Sequence, residues 1–217
     1  MARIIAGRIT GKVGDLIYSS KNGINYVKQA PKKSLKAPSE KQLIQWKKFA
    51  IVMHFLSPLK KLLNESYRSN AKRSGLHNAM KKNLTESIAG EYPRLSIDYS
   101  KVSLVPGSLW MPPVEMAYDA NSKELLLSYE CNQSYNAYLN DELFALIYCP
   151  ELPQYWYQIN TGLQRFEQIG AFKLPKETIG HEIHIWLYFH SEMLDQFSNS
   201  VYIGRVSTKK IESYETN

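Results

Sequence analysis

The chain has the length and composition of an ordinary globular protein, since 217 residues with 44% hydrophobic content suffice for one large domain or two small ones. No run of about 18 apolar residues occurs, which excludes a membrane-spanning helix, and the short apolar stretch before Gly7 is too brief for a secretory signal. The charge is divided unequally: residues 1–92 carry 18 Lys and Arg against 5 Asp and Glu, whereas residues 93–217 carry 9 against 15.

Residues 3–30 alternate between apolar and polar and are interrupted by glycines. The pair Asn22-Gly23 is a strong hairpin signal, because both residues tolerate the positive φ of a type I′ turn. It predicts paired strands at about residues 15–20 and 24–29, with a third strand near Ile4. The glycines around Lys12 do not follow the GxxxxGK[ST] order of a phosphate-binding loop, so they predict turns or bulges.

An extended basic linker with Pro31 and Pro38 follows the hairpin. Lysines in such a linker would contact phosphates as mobile point charges and give salt-dependent, nonspecific affinity. The alternatives are a solvated linker, or attraction to the acidic second part of the same chain. The candidate polyanion contacts in and after the linker are Lys32, Lys33, Lys36, Lys47 and Lys48.

Residues 39–68 are predicted to form the longest helical segment of the chain. Ser39 and Gln42 form a capping box at its start, and Pro58 is expected to kink or restart it. A helix apolar on two sides is usually packed between two other elements, and it less often offers one side to a partner. The wide apolar side contains Leu43, Trp46, Phe49, Ala50, Val52, Met53 and Leu56, and the narrow side contains Ile44, Ile51 and Phe55. A second amphipathic helix over residues 76–88 ends before Gly90.

From Pro93 the apolar pattern changes to a period of two, in short aromatic and β-branched segments separated by Gly, Pro, Asn or Asp. This pattern predicts an antiparallel β-sandwich of immunoglobulin or fibronectin type III type. The predicted fold is therefore α+β, with a β-hairpin and two to three helices followed by the sandwich. The predicted regions are a basic hairpin and helical region over residues 1–92, the sandwich over residues 93–207, and a polar, frayed tail over residues 208–217.

The segment HEIHIWLYFH, residues 181–190, alternates between two sets of side chains. Ile183, Ile185, Leu187 and Phe189 are predicted to face the core of the sandwich. The opposite set, together with an aromatic run, is predicted to form a partner surface, because exposed aromatic side chains suit macromolecular recognition. The alternative is that the N-terminal helices cover this face. The candidate surface contains His184, Trp186, Tyr188, His190, Tyr155, Trp156 and Tyr157.

No constellation of residues predicts catalysis or metal binding. On a strand, His181 and His184 point to opposite faces, and His184 and His190 share a face but lie about 20 Å apart. Cys131 and Cys149 lack CxxC spacing and predict free thiols. A GxSxG motif is absent, and a Cys/His or carboxylate pair would have to be assembled by tertiary structure alone. We therefore expect no catalytic residue, no metal, no cofactor and no enzymatic activity.

The order of motifs resembles that of a family of uncharacterised bacterial proteins of about this length. The matching stretches are GRITGKVGDLIYSSKNGINYVK, APSEKQLIQWKKFAIVMHFLSPLKKLL, NLTESIAGEYPRLSIDYSKVSLVPGSL and SNSVYIGRV. The resemblance implies a glycine-rich start, a basic linker leading into a capped helix, a β-rich second half and no particular activity. Trp46 and Lys47 depart from the glutamine-arginine pair that the resemblance implies there. The first forty residues also resemble those of phage-encoded structural proteins.

The leading hypothesis is a non-enzymatic binding or assembly protein that recognises another macromolecule, with a protein as the expected partner and a homo-oligomer as an open possibility. The alternatives are a nonspecific nucleic-acid-binding protein that uses the basic N-terminal region, and a phage-like structural protein. Salt-dependent binding to DNA and RNA would distinguish the second hypothesis from the first. We expect a cytoplasmic location by default, because the sequence shows no signal peptide or membrane span.

Overall fold

A computed structural model of the chain describes residues 3–5, 8–21, 23–31, 37–67, 74–131 and 137–209. The chain divides into two compact units, Met1–Gln42 (unit 1) and Leu43–Asn217 (unit 2). This division differs from the predicted boundary between residues 92 and 93. The reason is that the helices after residue 42 share a hydrophobic core with the strands of the second half.

Unit 1 contains a four-stranded antiparallel sheet with the order β1-β2-β3-β4. Its strands are β1 (Arg3–Ile5), β2 (Arg8–Val13), β3 (Leu16–Lys21) and β4 (Ile24–Gln29). Gly14 has φ +55° and Gly23 has φ +80°, the left-handed conformation that glycine adopts without steric cost. The predicted hairpin of β3 and β4, and the third strand near Ile4, are therefore confirmed.

The helices are α1 (Glu40–Leu56), α2 (Lys60–Ser66) and α3 (Gly75–Glu86). The predicted capping box is present, since Ser39 N donates to Gln42 Oε1 over 2.9 Å and Gln42 N donates to Ser39 Oγ over 3.4 Å. The predicted interruption at Pro58 is also present, as a 3-10 turn over Ser57–Leu59. The helical segment is thus confirmed, with its break where proline removes a backbone donor.

The prediction that the whole wide apolar side of α1 faces a core is wrong. Val52 and Leu56 are buried, but Trp46 is 60% exposed and Phe49 is 50% exposed. Phe55, from the predicted narrow side, is buried as well. The C-terminal half of α1 therefore supplies the helix's contribution to the core, and periodicity alone does not show where along a helix the covering layer ends.

The remaining strands form three antiparallel sheets in unit 2. A five-stranded sheet has the order β10-β9-β12-β13, with β14 paired to β12; a three-stranded sheet has the order β11-β8-β7; and β5 pairs with β6. The strands are β5 (Ile88–Ala89), β6 (Ser96–Ile97), β7 (Val114–Asp119), β8 (Glu124–Tyr129), β9 (Glu142–Tyr148), β10 (Trp156–Gln164), β11 (Ile169–Lys173), β12 (Glu182–Ser191), β13 (Gln196–Phe197) and β14 (Val201–Ser207). The structure confirms an α+β fold with antiparallel sheets.

The five-stranded sheet is covered on both faces. On one face, a core shared with the three-stranded sheet contains Leu125, Ile147 and Phe172. On the other face, a second core shared with the helices contains Phe55, Leu63 and Met80. Strand β12 supplies both cores alternately, with Ile183, Ile185, Leu187 and Phe189 in the first and Trp186 and Tyr188 in the second. The predicted placement of the isoleucine set is thus confirmed.

The predicted C-terminal tail begins at a buried residue. Thr208, predicted to begin a frayed tail, is buried, and its Oγ1 accepts hydrogen bonds from Gly180 N and His181 N over 2.8 and 3.0 Å. Residues 210–217 of the predicted tail lie outside the described residues.

Cys131 and Cys149 are both free thiols, as predicted. Within the described ranges, we find no helix with the length and hydropathy needed to cross a membrane.

Candidate binding surfaces

The predicted partner surface on β12 is largely inaccessible, and this prediction is wrong. Trp186 is 0% exposed, Tyr188 is 1% exposed and His184 is 7% exposed. The ring of Phe55 from α1 packs edge-on against Trp186 with ring centroids 6.3 Å apart. The physical reason is that the helices of unit 2 cover this face, which the sequence left as the alternative.

The predicted aromatic run also does not form one surface. Successive residues of a strand point to opposite faces, so Trp156 and Tyr157 contribute to different cores. Trp156 is 6% exposed, whereas Tyr155 and Tyr157 are half-buried. Tyr155 stacks on His54 at 5.1 Å and donates a hydrogen bond from its hydroxyl to His54 O over 3.0 Å. The ring and hydroxyl of Tyr155 therefore help to hold α1 on the sheet.

The polar atoms of the buried face are mostly satisfied inside unit 2. Gln158 Nε2 donates to Tyr188 Oη over 3.0 Å, and burial raises the pKa of the Tyr188 phenol. His184 Nδ1 lies 2.9 Å from Tyr202 Oη, and burial lowers the pKa of the imidazole. Such a network stabilises a unique packing and gives no acid or base at a solvent-accessible site.

Among the described residues, His181 and His190 contact acidic or aromatic side chains. His181 Nδ1 lies 2.7 Å from Glu151 Oε2, and this contact lowers the pKa of the exposed Glu151 carboxyl. His190 is half-buried and packs against Phe197, with ring centroids 4.5 Å apart. Across the described part of the chain, no group of three or more His, Cys, Asp or Glu is arranged to hold a metal ion.

A cavity of about 670 Å³ opens at the end of the five-stranded sheet, where β9 begins and β12 ends. Its wall combines acidic with apolar side chains, among them Leu139, Asp141, Glu142, Glu192 and Met193. Asp141 is 1% exposed and its Oδ2 accepts hydrogen bonds from Arg165 Nε over 3.1 Å and Tyr138 N over 3.0 Å. Both hydrogen bonds end on the same carboxylate oxygen, so Asp141 has a structural role at the edge of the cavity.

Arg165, the partner of Asp141, is 0% exposed. Its guanidinium carbon lies 3.9 Å from the ring centroid of Phe189, so the cation is held between a carboxylate and an aromatic face. Burial lowers the pKa of the guanidinium, and the charge of Asp141 opposes that shift. Sequence reasoning missed this pair because no local pattern connects residues 141 and 165.

The predicted polyanion contacts have two different outcomes. Lys32, Lys33 and Lys36 lie outside the described residues. Lys47 and Lys48 lie on α1, where Lys47 is exposed and Lys48 is half-buried. Lys47 borders a shallow groove of about 480 Å³, which Ile51, His54, Tyr99 and Tyr148 also line. A single exposed cation beside an aromatic groove does not by itself define an anion site.

The sheet of unit 1 exposes five large apolar side chains, distributed over its two faces. These are Val13 (53%), Leu16 (42%), Ile24 (58%), Tyr26 (49%) and Val27 (56%). None of the unit 1 side chains that the structure describes is buried. A sheet whose apolar side chains remain exposed has no core of its own, and soluble proteins rarely expose such surfaces without using them.

Unit 1 also carries the entire net charge of the protein. Residues 1–42 contain nine Lys and Arg against two Asp and Glu, whereas residues 43–217 contain eighteen of each. The formal net charge of +7 is therefore confined to the first 42 residues. The coarser division at residue 92 understated this concentration of charge.

A family model described as a family of unknown function (DUF6266) matches residues 8–204. The chain belongs to the DUF6266 family. The resemblance to a family of uncharacterised proteins is thus confirmed, and it covers both units. No curated protein matches the chain.

The exposed side chains of unit 1 are the functional candidates that sequence reasoning missed. The alternation in INYVKQ, residues 24–29, indicates that Tyr26 and Val27 lie on opposite faces, and the two-residue hairpin signal in the sequence at 22–23 agrees with the observed pairing of Lys21 with Ile24. Those two signals together define both faces of the hairpin. The segments of the second half contain more aromatic residues, and they therefore give the stronger sequence signal for a binding surface.

Proposed function

We propose that the chain is a non-enzymatic binding or assembly protein, and that unit 1 is the part that contacts another macromolecule. The observation that carries this proposal is the exposed apolar surface of the unit 1 sheet, in which no described side chain is buried. A single-layered sheet gains stability when a second layer covers its apolar face. Association would supply that layer.

The proposed partner is a second copy of the chain, through the face that holds Val13, Leu16 and Val27. Val13 pairs with Leu16, and Tyr18 pairs with Val27, so these residues share one face of the sheet. The described residues of β2, β3 and β4 place no charged side chain on this face. An uncharged apolar sheet face is complementary to a copy of itself in a two-fold interface, with the sheets packed face to face.

Light scattering coupled to size-exclusion chromatography tests the self-association. We expect the wild-type chain to form dimers between about 1 and 100 μM, within the range of ordinary protein affinities. Val27→Lys should yield monomers, because a lysine on the uncharged face would be desolvated without a partner. Tyr26→Ala, on the opposite face of the same strand, is the matched control and should remain dimeric. A wild-type chain that is monomeric throughout this range, or a Val27→Lys variant that still dimerises, would reject the proposal.

A second candidate function is nonspecific binding to nucleic acid. It is supported by the confinement of the net charge of +7 to residues 1–42. The logarithm of the binding constant of such a region should fall linearly with the logarithm of the salt concentration, because binding releases condensed counterions. Measuring affinity for DNA and RNA between about 50 and 200 mM salt tests it, and a flat response would exclude the mechanism.

We also infer that β7 to β12 and β14 form a sandwich of the fibronectin type III class. The support is the distribution of the seven strands over two sheets. The first, second and fifth of them, which are β7, β8 and β11, lie in one sheet. The third, fourth, sixth and seventh, which are β9, β10, β12 and β14, lie in the other. Such sandwiches commonly serve as binding modules, although fold alone does not determine function. An experimental structure with β10 paired to the three-stranded sheet would contradict the assignment.

A further inference from the structure

The two faces of the unit 1 sheet differ in chemistry. In an antiparallel sheet, directly paired residues lie on the same face, and successive residues of a strand alternate between faces. Lys12 pairs with Ile17, and Ile17 pairs with Lys28, so these three residues form a row across β2, β3 and β4. The face with this row (the basic face) is opposite the uncharged face of Val13, Leu16 and Val27.

The basic face combines cations with an exposed aromatic ring. Both Lys12 and Lys28 are exposed. Tyr26 is 49% exposed and precedes Lys28 by two residues on β4, which places both on this face about 7 Å apart along the strand. Ser19, the partner of Tyr26 in the register, is small and leaves the tyrosine ring accessible from the β3 side.

Lysines and an aromatic ring side by side on a sheet match the chemistry of single-stranded nucleic acid. Its phosphates follow a positively charged surface, while its unpaired bases stack on aromatic side chains. In duplexes the bases are already stacked on one another, so the tyrosine ring has no base face to contact. A protein partner that was merely acidic would use the lysines without requiring the ring.

We propose that the basic face binds single-stranded DNA or RNA, with Lys12 and Lys28 contacting phosphates and Tyr26 stacking on a base. This inference rests on the second candidate function and specifies its ligand and its residues. It does not depend on self-association, which uses the opposite face.

Fluorescence anisotropy with labelled 20-nucleotide dT, 20-nucleotide U and a 20-base-pair duplex tests the proposal with the full chain. We expect both single strands to bind more tightly than the duplex at equal salt. Tyr26→Ala should weaken single-strand binding about 5- to 150-fold, the range measured for loss of one stacked base, and Tyr26→Phe should restore it. Lys28→Gln should reduce the salt slope for single strands by about 0.7.

Tyr92→Ala is the matched control, because it removes a tyrosine of similar exposure (40%) that lies in unit 2, outside the basic face and the self-association face. It should leave nucleic-acid affinity unchanged, and circular dichroism of each variant checks that the sheet persists. Equal binding of single strands and duplex, with no effect of Tyr26→Ala, would overturn the stacking proposal while leaving charge-driven binding intact. No binding to any nucleic acid at about 50 mM salt would reject both. If the single strands do bind, a difference in affinity between the dT and the U oligonucleotides would show whether the ligand is DNA or RNA.

Discussion

Trp156 and Phe55 are joined by a buried hydrogen bond, in which the indole Nε1 of Trp156 donates to the backbone carbonyl of Phe55 over 2.7 Å. Their rings also pack edge to face, with centroids 5.0 Å apart and an interplanar angle of 61°. The contact fixes the last turn of α1 on the start of β10. It therefore joins two elements that are separated by about a hundred residues along the chain.

The first prediction follows from this bond. Trp156→Phe keeps an aromatic ring but removes the donor, which leaves a buried carbonyl without that partner. We expect the free energy of unfolding to fall by about 1–3 kcal/mol, measured by urea denaturation. Trp46→Phe is the control, because Trp46 is 60% exposed and its substitution should change stability by no more than about 0.5 kcal/mol. Equal losses in the two variants would contradict the assigned role of the bond.

The second prediction concerns the buried ion pair of Asp141 and Arg165. Among the described residues, Asp141 Oδ1 and Arg165 Nη1 have no hydrogen-bond partner, so the pair is only partly satisfied. Arg165→Met should destabilise the protein by about 3–5 kcal/mol, because it leaves a buried carboxylate unpaired. Arg205→Met removes the exposed pair with Glu182 and should cost less than about 1 kcal/mol. Denaturant unfolding of both variants gives the comparison.

The third prediction concerns the pH dependence of stability. Burial lowers the pKa of His184 in the folded protein, whereas its unfolded value is about 6.5. Below the unfolded value the unfolded chain binds a proton that the folded chain does not, so stability is lost as the pH falls through about 6.5 towards the folded pKa. His184→Gln should remove this component of the slope between pH 7 and 5.

Tyr202→Phe provides the control for the pH experiment. It removes the hydroxyl that lies 2.9 Å from His184 Nδ1 but keeps the buried imidazole, so the slope should persist. Unfolding free energies measured at closely spaced pH values test both variants. A His184→Gln slope identical to the wild-type slope would show that other groups account for it.

The fourth prediction concerns the close approach of α2 and α3. A Cβ atom on Gly75 would collide with the backbone oxygen of Leu63. Gly75→Ala should therefore force the two helices apart and destabilise the protein by about 3 kcal/mol. Thr85→Ala, at an exposed position of α3, should stay within about 0.5 kcal/mol of wild type in the same thermal or denaturant assay.

Local signals in the sequence predicted the elements whose cause is local. The Asn22-Gly23 pair located the hairpin of unit 1, and Pro58 located the break between α1 and α2. Ser39 and Gln42 located the start of α1 through their reciprocal hydrogen bonds. Each of these features depends on the backbone preferences of one or two residues, so it survives whatever tertiary contacts form.

The same local signals could not predict contacts between elements that are far apart in the sequence. Alternation in β12 separated Ile185 from Trp186 correctly, but it could not show that Phe55, about 130 residues earlier, covers the tryptophan. The same limit applies to Trp46, which belongs to an apolar helical side and yet is exposed. Whether a side chain is buried depends on which element, distant in the sequence, packs against it. Local sequence patterns do not contain that information.

The position of β12 between two cores has a consequence for how unit 2 unfolds. The odd-numbered side chains of β12 pack in one core, and Trp186 and Tyr188 pack in the other. Neither core can therefore unfold while β12 remains folded. Amide protons along residues 183–189 should then exchange with solvent only through the global opening reaction, and the two layers should melt with one shared midpoint.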